Sequence, residues 1–213
     1  TMLVGTHATA RPIETLKLSE SLDFAAVGEY DSTVLEVVAH FAQKKDRAAL
    51  SEVKGLAYRL GDQLLLNERR PWCEDLDSIP WASLIYKDFL KVEHYSYGAQ
   101  LHPEVTIVSG RGCPYQCTFC VFPQTITGQR YRPRSVKDVV DEMEFIQKTW
   151  PHNKEIMFED DTLTVDKDRM RELSEEILRR GLKVIWSGNA RADFDDIELL
   201  KLMKKAGCRL FCV

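Results

Sequence analysis

The sequence predicts an α/β fold with parallel strands, and three observations carry that expectation. Short apolar runs alternate with amphipathic stretches along most of the chain, the order of elements that builds a parallel sheet of doubly wound type. The runs end in glycine or in polar motifs, so those motifs collect at strand C-terminal ends, where parallel barrels and open α/β sheets place their sites. With 213 residues, 44% hydrophobic and 29% charged, the chain can bury a sizeable core.

Met2-Leu-Val-Gly5 is an apolar run ending in glycine, and Pro12 opens an amphipathic stretch to about Ser19. Phe24-Ala-Ala-Val27 is a second run, closed by Gly28-Glu29. Asp31-Ser-Thr starts a helix with Leu35, Val38, Phe41 and Ala42 on one face. Val53 to Leu66 reads as a hairpin turning at Gly61-Asp62, within a weakly patterned region that connects two units. Val105-Thr-Ile-Val108 is a strand. Ser135 caps a helix carrying Val136, Val139, Val140, Met143, Ile146 and Gln147. Glu155-Ile-Met-Phe158 is the next strand, and Asp166 or Thr164 starts a helix with Met170, Leu173, Ile177 and Leu178. Lys183-Val-Ile-Trp186, a helix from Ile197 to Ala206, and Leu210-Phe-Cys-Val213 complete the series.

The formal net charge of −4 creates no field that favours nucleic acid or an anionic membrane surface. No apolar stretch is long enough to span a bilayer, and no basic segment followed by an apolar run marks a secretory signal. The six cysteines are too uneven for a disulfide framework, and clustered thiols in such a chain imply metal binding and a reducing compartment, by default the cytoplasm. Both ends read as buried strands that stop short, the pattern of an internal fragment.

Three cysteines, Cys113, Cys117 and Cys120, lie in the run Arg-Gly-Cys-Pro-Tyr-Gln-Cys-Thr-Phe-Cys. This spacing lets one short loop wrap three thiolates around a single inorganic centre. An iron–sulfur cube so held keeps one iron without a protein ligand, open to a small molecule. A zinc site completed by His102 and a trio of unbonded thiols are the other readings, although structural zinc takes four closed ligands. Glu159-Asp160-Asp161 follows a strand; Asp160 or Asp161 suits an ammonium group, or the acids serve the next helix N-terminus. In Ser187-Gly-Asn-Ala-Arg191-Ala-Asp193, Arg191 offers a fork for a carboxylate, with Ser187 and Asn189 adding neutral hydrogen bonds. Alternatively Arg191 pairs with a neighbouring acid while Asp193 caps a helix. The basic run Arg130, Arg132 and Arg134 is assigned a structural role, and Cys73, Cys208 and Cys212 read as small hydrophobes.

The cysteine loop, with Phe119 before its last cysteine, resembles the signature of the radical S-adenosylmethionine superfamily. The resemblance implies a [4Fe–4S] cluster on the three cysteines, with S-adenosylmethionine chelating the fourth iron and yielding a 5′-deoxyadenosyl radical on reduction. It places Phe119 against the adenine, the backbone near Val121 and Phe122 in hydrogen-bonding reach of it, and the acidic run by the methionine amino group. Gly5-Thr-His7-Ala-Thr9 and Gly28-Glu29 resemble the second half of a cobalamin-binding domain, with Val4 where the motif's first glycine stands and His7 as a turn residue. Glycines there let backbone approach a bulky ligand.

The implied architecture is a partial (β/α) barrel, with four of its six strands, preceded by the C-terminal part of a Rossmann-like cobalamin-binding domain. Its segments are residues 1–45, a linker region 46–103, and the first part of the barrel, 104–213. The order is similar to the cobalamin-binding branch, including anaerobic tetrapyrrole cyclases, methylases and hopanoid-tailoring enzymes. That branch implies hydrogen abstraction from an unactivated carbon of a lipid-like or tetrapyrrole-like small molecule, with a flavodoxin or ferredoxin as reductant. Whether cobalamin takes part is open, and a non-catalytic iron–sulfur or zinc module is the competing class.

Overall fold

The computed structural model describes residues 1–44 and 46–213, so the expected boundary at Lys45 lies outside the described residues. The chain forms two compact units, Thr1–Glu74 with Pro114–Gln129, and Asp75–Cys113 with Arg130–Val213.

The first unit contains β1 (Met2–Leu3), α1 (Thr6–Ala10), α2 (Pro12–Lys17), β2 (Phe24–Ala26), α3 (Asp31–Ala42), β3 (Leu56–Leu60) and β4 (Gln63–Leu66). Its sheet runs in the order β1-β2-β3-β4. Strands β1 and β2 are parallel, whereas β3 lies antiparallel to β2 and forms a hairpin with β4. The hairpin turns at Gly61-Asp62, as the sequence predicts, and Gly61 takes a positive φ of 58° there. Within the region expected to link two units, Leu56–Leu60 and Gln63–Leu66 are strands of this sheet. Leu50, Val53, Leu56 and Tyr58 are buried with Phe24 and Val37, because the inner edge of the hairpin pairs with β2.

Helix α3 also departs from expectation. Leu35, Val38 and Phe41 are exposed, while Thr33, Val37 and His40 are buried. Polar bonds turn the helix: Thr33 Oγ1 donates to the Lys54 carbonyl at 2.9 Å and accepts from Arg70 Nε at 3.1 Å.

The second unit begins with α4 (Ala82–Phe89), β5 (Glu104–Ile107) and the short β6 (Gly110–Arg111). Helix α5 (Phe122–Thr125) belongs to the first unit, after which the second continues with β7 (Arg132–Pro133), α6 (Val136–Thr149) and β8 (Glu155–Phe158). It ends with α7 (Lys167–Arg179), β9 (Trp186–Asn189), α8 (Ile197–Lys205) and β10 (Cys208–Cys212). Its main sheet is parallel, in the order β10-β9-β8-β5. The core packs Val139, Met143 and Ile146 of α6, Met170, Leu173 and Ile177 of α7, and Leu199 and Met203 of α8 with Ile107, Ile156, Phe158 and Trp186. The helices start where capping chemistry dictates: Ser135, Asp166 and Asp196 accept from the backbone N–H groups of Asp138, Arg169 and Leu199.

Strand β9 lies three residues beyond the expected run 183–186. Ile185 is exposed, and the strand instead buries Trp186, Ser187 and Gly188. Gly188 fits because a Cβ there would meet the Leu163 side chain at 2.6 Å. Among the described residues no helix is long and apolar enough to cross a membrane.

Candidate cofactor site

The cysteine motif departs from the C-terminal end of β5, and the root of its loop is held from several directions. The Ser109 N–H donates to Asp160 Oδ1 at 2.7 Å and its hydroxyl to Asp160 Oδ2 at 2.8 Å. The Ser109 carbonyl accepts from the Arg134 N–H at 2.9 Å and from the Arg169 guanidinium at 3.0 Å. Arg134 also donates to the Val108 carbonyl at 2.7 Å, and its guanidinium pairs with Glu142 at 2.6 Å and Asp138 at 2.6 Å. Glu142, 1% exposed, is further satisfied by the Ser83 hydroxyl at 2.7 Å. Burial works against the Arg134 charge, but Glu142 and Asp138 outweigh it and hold the guanidinium proton more tightly. Gly110 and Arg111 then pair with Pro133 and Arg132, and Gly110 lies so close to the Tyr131 ring that a Cβ would come within 2.6 Å of it.

Asp160 is the hub of this arrangement. Burial pushes its carboxyl up to about 6, and the Ser109 hydrogen bonds and Arg169 hold it back from rising further. The expected role of Asp160 was to meet an ammonium group; in the structure both oxygens are engaged by Ser109. Its carbonyl accepts from Asn189 Nδ2 at 3.0 Å, which ties the ends of β8 and β9 together.

None of the three motif cysteines forms a disulfide. Cys113 is buried, and its Sγ lies 3.6 Å from the Thr162 hydroxyl. The division between the units falls directly after Cys113. In the first unit a tight turn brings the Cys120 N–H to the Cys117 carbonyl at 3.1 Å. Cys117 and Cys120 line a hollow of about 300 Å³ together with Tyr115, Thr118 and Gln124. The donor set suits a soft metal cluster, since thiolates are its usual ligands. Among the described residues no three His, Cys, Asp or Glu side chains are gathered as a metal-binding group, so the ligand assignment rests on spacing and donor chemistry. Phe119 is 88% exposed, Val121 and Phe122 are also exposed, and the Val121 carbonyl accepts from the Thr125 hydroxyl at 2.6 Å.

The remaining expected residues have these places. Asp161 is half-buried and its carbonyl accepts from Thr162. Ser187 is buried inside β9, with its hydroxyl 3.2 Å from Met157 Sδ. Arg191 makes a forked pair with Asp193 at 2.9 and 2.6 Å, while Asp196 rather than Asp193 caps α8. Gly5 and Gly28 belong to one unit, and their turns are linked by the Gly28 N–H donating to Thr9 Oγ1 at 3.0 Å. Gly5 has a φ of 105°, and nothing lies within 4 Å of where a Cβ would stand. Gly28 instead faces Arg69 and Trp72, each within 3.7 Å of such a Cβ, and the Arg69 guanidinium stacks over Trp72 at 4.8 Å. Glu29 is buried and accepts from the Cys73 N–H at 2.9 Å. The turn at Gly5 is thus open where a side chain would stand, while Gly28 and Glu29 are engaged in packing and hydrogen bonding within this unit.

The family model of the radical SAM superfamily matches residues 107–213, more than half of the chain. The chain belongs to the radical SAM superfamily. It is 30% identical to an uncharacterized methyltransferase of Pyrococcus horikoshii over 96% of this chain and 42% of that protein. It is also 30% identical to the anaerobic magnesium-protoporphyrin IX monomethyl ester cyclase of Rubrivivax gelatinosus, over 97% of this chain and 37% of that one. The fold matches the cobalamin-dependent S-adenosylmethionine radical enzyme OxsB with a TM-score of 0.73 at 20% identity, over 99% of this chain and 30% of that one. The chain thus spans less than half the length of each of these three proteins.

Sequence reasoning did not find Ser109, Tyr131, Thr162 or Arg169, and took Arg134 only as part of a structural basic run. One local signal existed for Arg134, the spacing to Asp138 four residues on across a helix start.

Proposed function

We propose that this chain carries the cluster and cosubstrate site of a radical S-adenosylmethionine enzyme, with Cys113, Cys117 and Cys120 as ligands of a [4Fe–4S] cluster. The observation that carries the reading is the spacing of three cysteines, none of them in a disulfide, in a loop that follows the C-terminal end of a parallel strand. When bound, the cluster supplies an electron for reductive cleavage of the S-adenosylmethionine sulfonium, and so for hydrogen abstraction from an unactivated carbon.

The residues of the chain hold and orient. Asp160, Arg134 and Arg169 fix the loop root. Phe119 and Val121 present an apolar surface and backbone groups suited to the adenine. Asp161, in the same turn after β8, is the carboxylate suited to attract the ammonium group. Arg191 reaches a carboxylate only by exchanging its pair with Asp193, a cheap exchange at an exposed site. The substrate is a small lipid-like or tetrapyrrole-like molecule, a class supported by the cyclase relative, and the electron comes from a flavodoxin or ferredoxin in the cytoplasm. Cobalamin as a further cofactor is supported by the open approach to Gly5.

Anaerobic reconstitution tests this reading. The protein should take up iron and sulfide, its electron paramagnetic resonance signal should change on adding S-adenosylmethionine, and reduction should yield 5′-deoxyadenosine. Serine at any one of the three cysteines should abolish these properties, whereas Cys208→Ser should keep them. A colourless zinc protein with no response to S-adenosylmethionine would reject the proposal in favour of a non-catalytic module.

A further inference from the structure

We infer that the Thr162 hydroxyl is a hydrogen-bond donor to the sulfur of Cys113 and sets the reduction potential of the cluster that this cysteine ligates. The inference rests on the cluster reading above.

Both partners are sequestered from water, Cys113 at 9% and Thr162 at 7% exposure, with Sγ and Oγ1 3.6 Å apart. Thr162 stands in the turn after β8, two residues beyond Asp160, whose carboxylate clasps Ser109 in the bend between β5 and β6 that leads into the cysteine motif. The two sides of the contact are thus tied to each other by the same buried network. Thr162 has extended backbone angles, φ −154° and ψ 102°, which suit a β-branched residue with a stiff χ1.

Proton counting gives the direction of the bond. The hydroxyl has one proton, placed toward the Asp161 carbonyl at 2.8 Å. A protonated Cys113 can donate to Oγ1, but a thiolate on iron has no proton and can only accept. Its negative charge then competes with a neutral carbonyl for the Thr162 proton, and bonds to charged acceptors are the stronger ones. Reduction of a cluster adds negative charge that is shared by its sulfurs. A donor aimed at one of them stabilises the reduced form and raises the potential. Thr162 acts through Cys113, so it is a positioning residue.

Thr162→Val removes the hydroxyl and keeps the shape, and Thr162→Ser keeps the hydroxyl. The protein and both variants are reconstituted anaerobically, assayed for iron and sulfide, and titrated by electron paramagnetic resonance against a low-potential dye series without S-adenosylmethionine. The expected result is a lower midpoint potential for Thr162→Val and a parental one for Thr162→Ser, at equal cluster content. Valine also loses the bond to the Asp161 carbonyl, so the midpoint potential of the clusters present, and not the cluster content, decides. A valine midpoint equal to the parent's, or a serine midpoint that falls with it, overturns the inference. Absence of iron and sulfide from the parent protein overturns the cluster reading itself, so the two failures are told apart.

Discussion

At the residue scale, Asp160 shows how a group that reads as a ligand becomes a structural hub. An aspartate after a strand in a polar run invites a role at the surface of the site, yet this one is 1% exposed and has Ser109 on both oxygens. Its carboxyl is raised from 3.8 to about 6, so the folded protein binds its proton more tightly than the unfolded chain does. The contribution of Asp160 to stability is therefore greatest below about pH 4 and declines as the pH rises through about 6. Asparagine at this position can accept from the Ser109 N–H and donate to its hydroxyl, and it carries no charge. The parent should lose up to ~3 kcal/mol relative to Asp160→Asn between about pH 4 and pH 7, the equivalent of a two-unit shift. Urea unfolding of both proteins across that range measures the difference, and parallel stability curves would show that the carboxyl is not raised.

At the element scale, the helices α6, α7 and α8 were legible because their apolar spacing and their caps are local. Ser135 and Asp166 stand directly before the first helical turn as expected, and the expected apolar positions of α6 and α7 lie in the core; for α8 the helix was expected, but Asp196 rather than Asp193 caps it. Strand β9 and the buried face of α3 were not, because distant partners decide both. The sequence Ser187-Gly188 enters the core of the sheet only where Leu163 fills the space over the missing Cβ. Turns between these elements make equally specific demands. Gly207, between α8 and β10, has a φ of 101°, and a Cβ there would stand 2.0 Å from the Val184 carbonyl oxygen. Gly181 has a φ of 66° and open space around it. Gly181→Ala should cost about 1–2 kcal/mol, the strain of a left-handed residue. Gly207→Ala must also displace backbone and should cost ~3 kcal/mol or more. Denaturation midpoints of the two variants check the order, and equal losses would mean that the Val184 carbonyl yields freely.

At the scale of the whole molecule, the cofactor ligands and their support are legible to different degrees. Ligand spacing is a local property, so three cysteines within eight residues declare themselves. The grip on the loop root is not local: Ser109 and Asp160 are 51 positions apart, and Ser109 and Arg169 are 60. The two expected cofactors also make separate demands on the chain. The open Gly5 turn belongs to the first unit, and the proposed approach of a bulky ligand there would depend on a missing side chain. Gly5→Ala therefore adds an atom where a corrin would lie, at a positive φ that itself strains alanine by about 1–2 kcal/mol. If cobalamin binds there, protein purified with hydroxocobalamin should show a corrin spectrum that Gly5→Ala weakens, with iron and sulfide content unchanged. Cys117→Ser should give the reverse, losing the cluster absorbance and keeping the corrin. Corrin content that is equal in the parent and in Gly5→Ala would remove Gly5 from any cobalamin site, and the cluster chemistry would then stand without it.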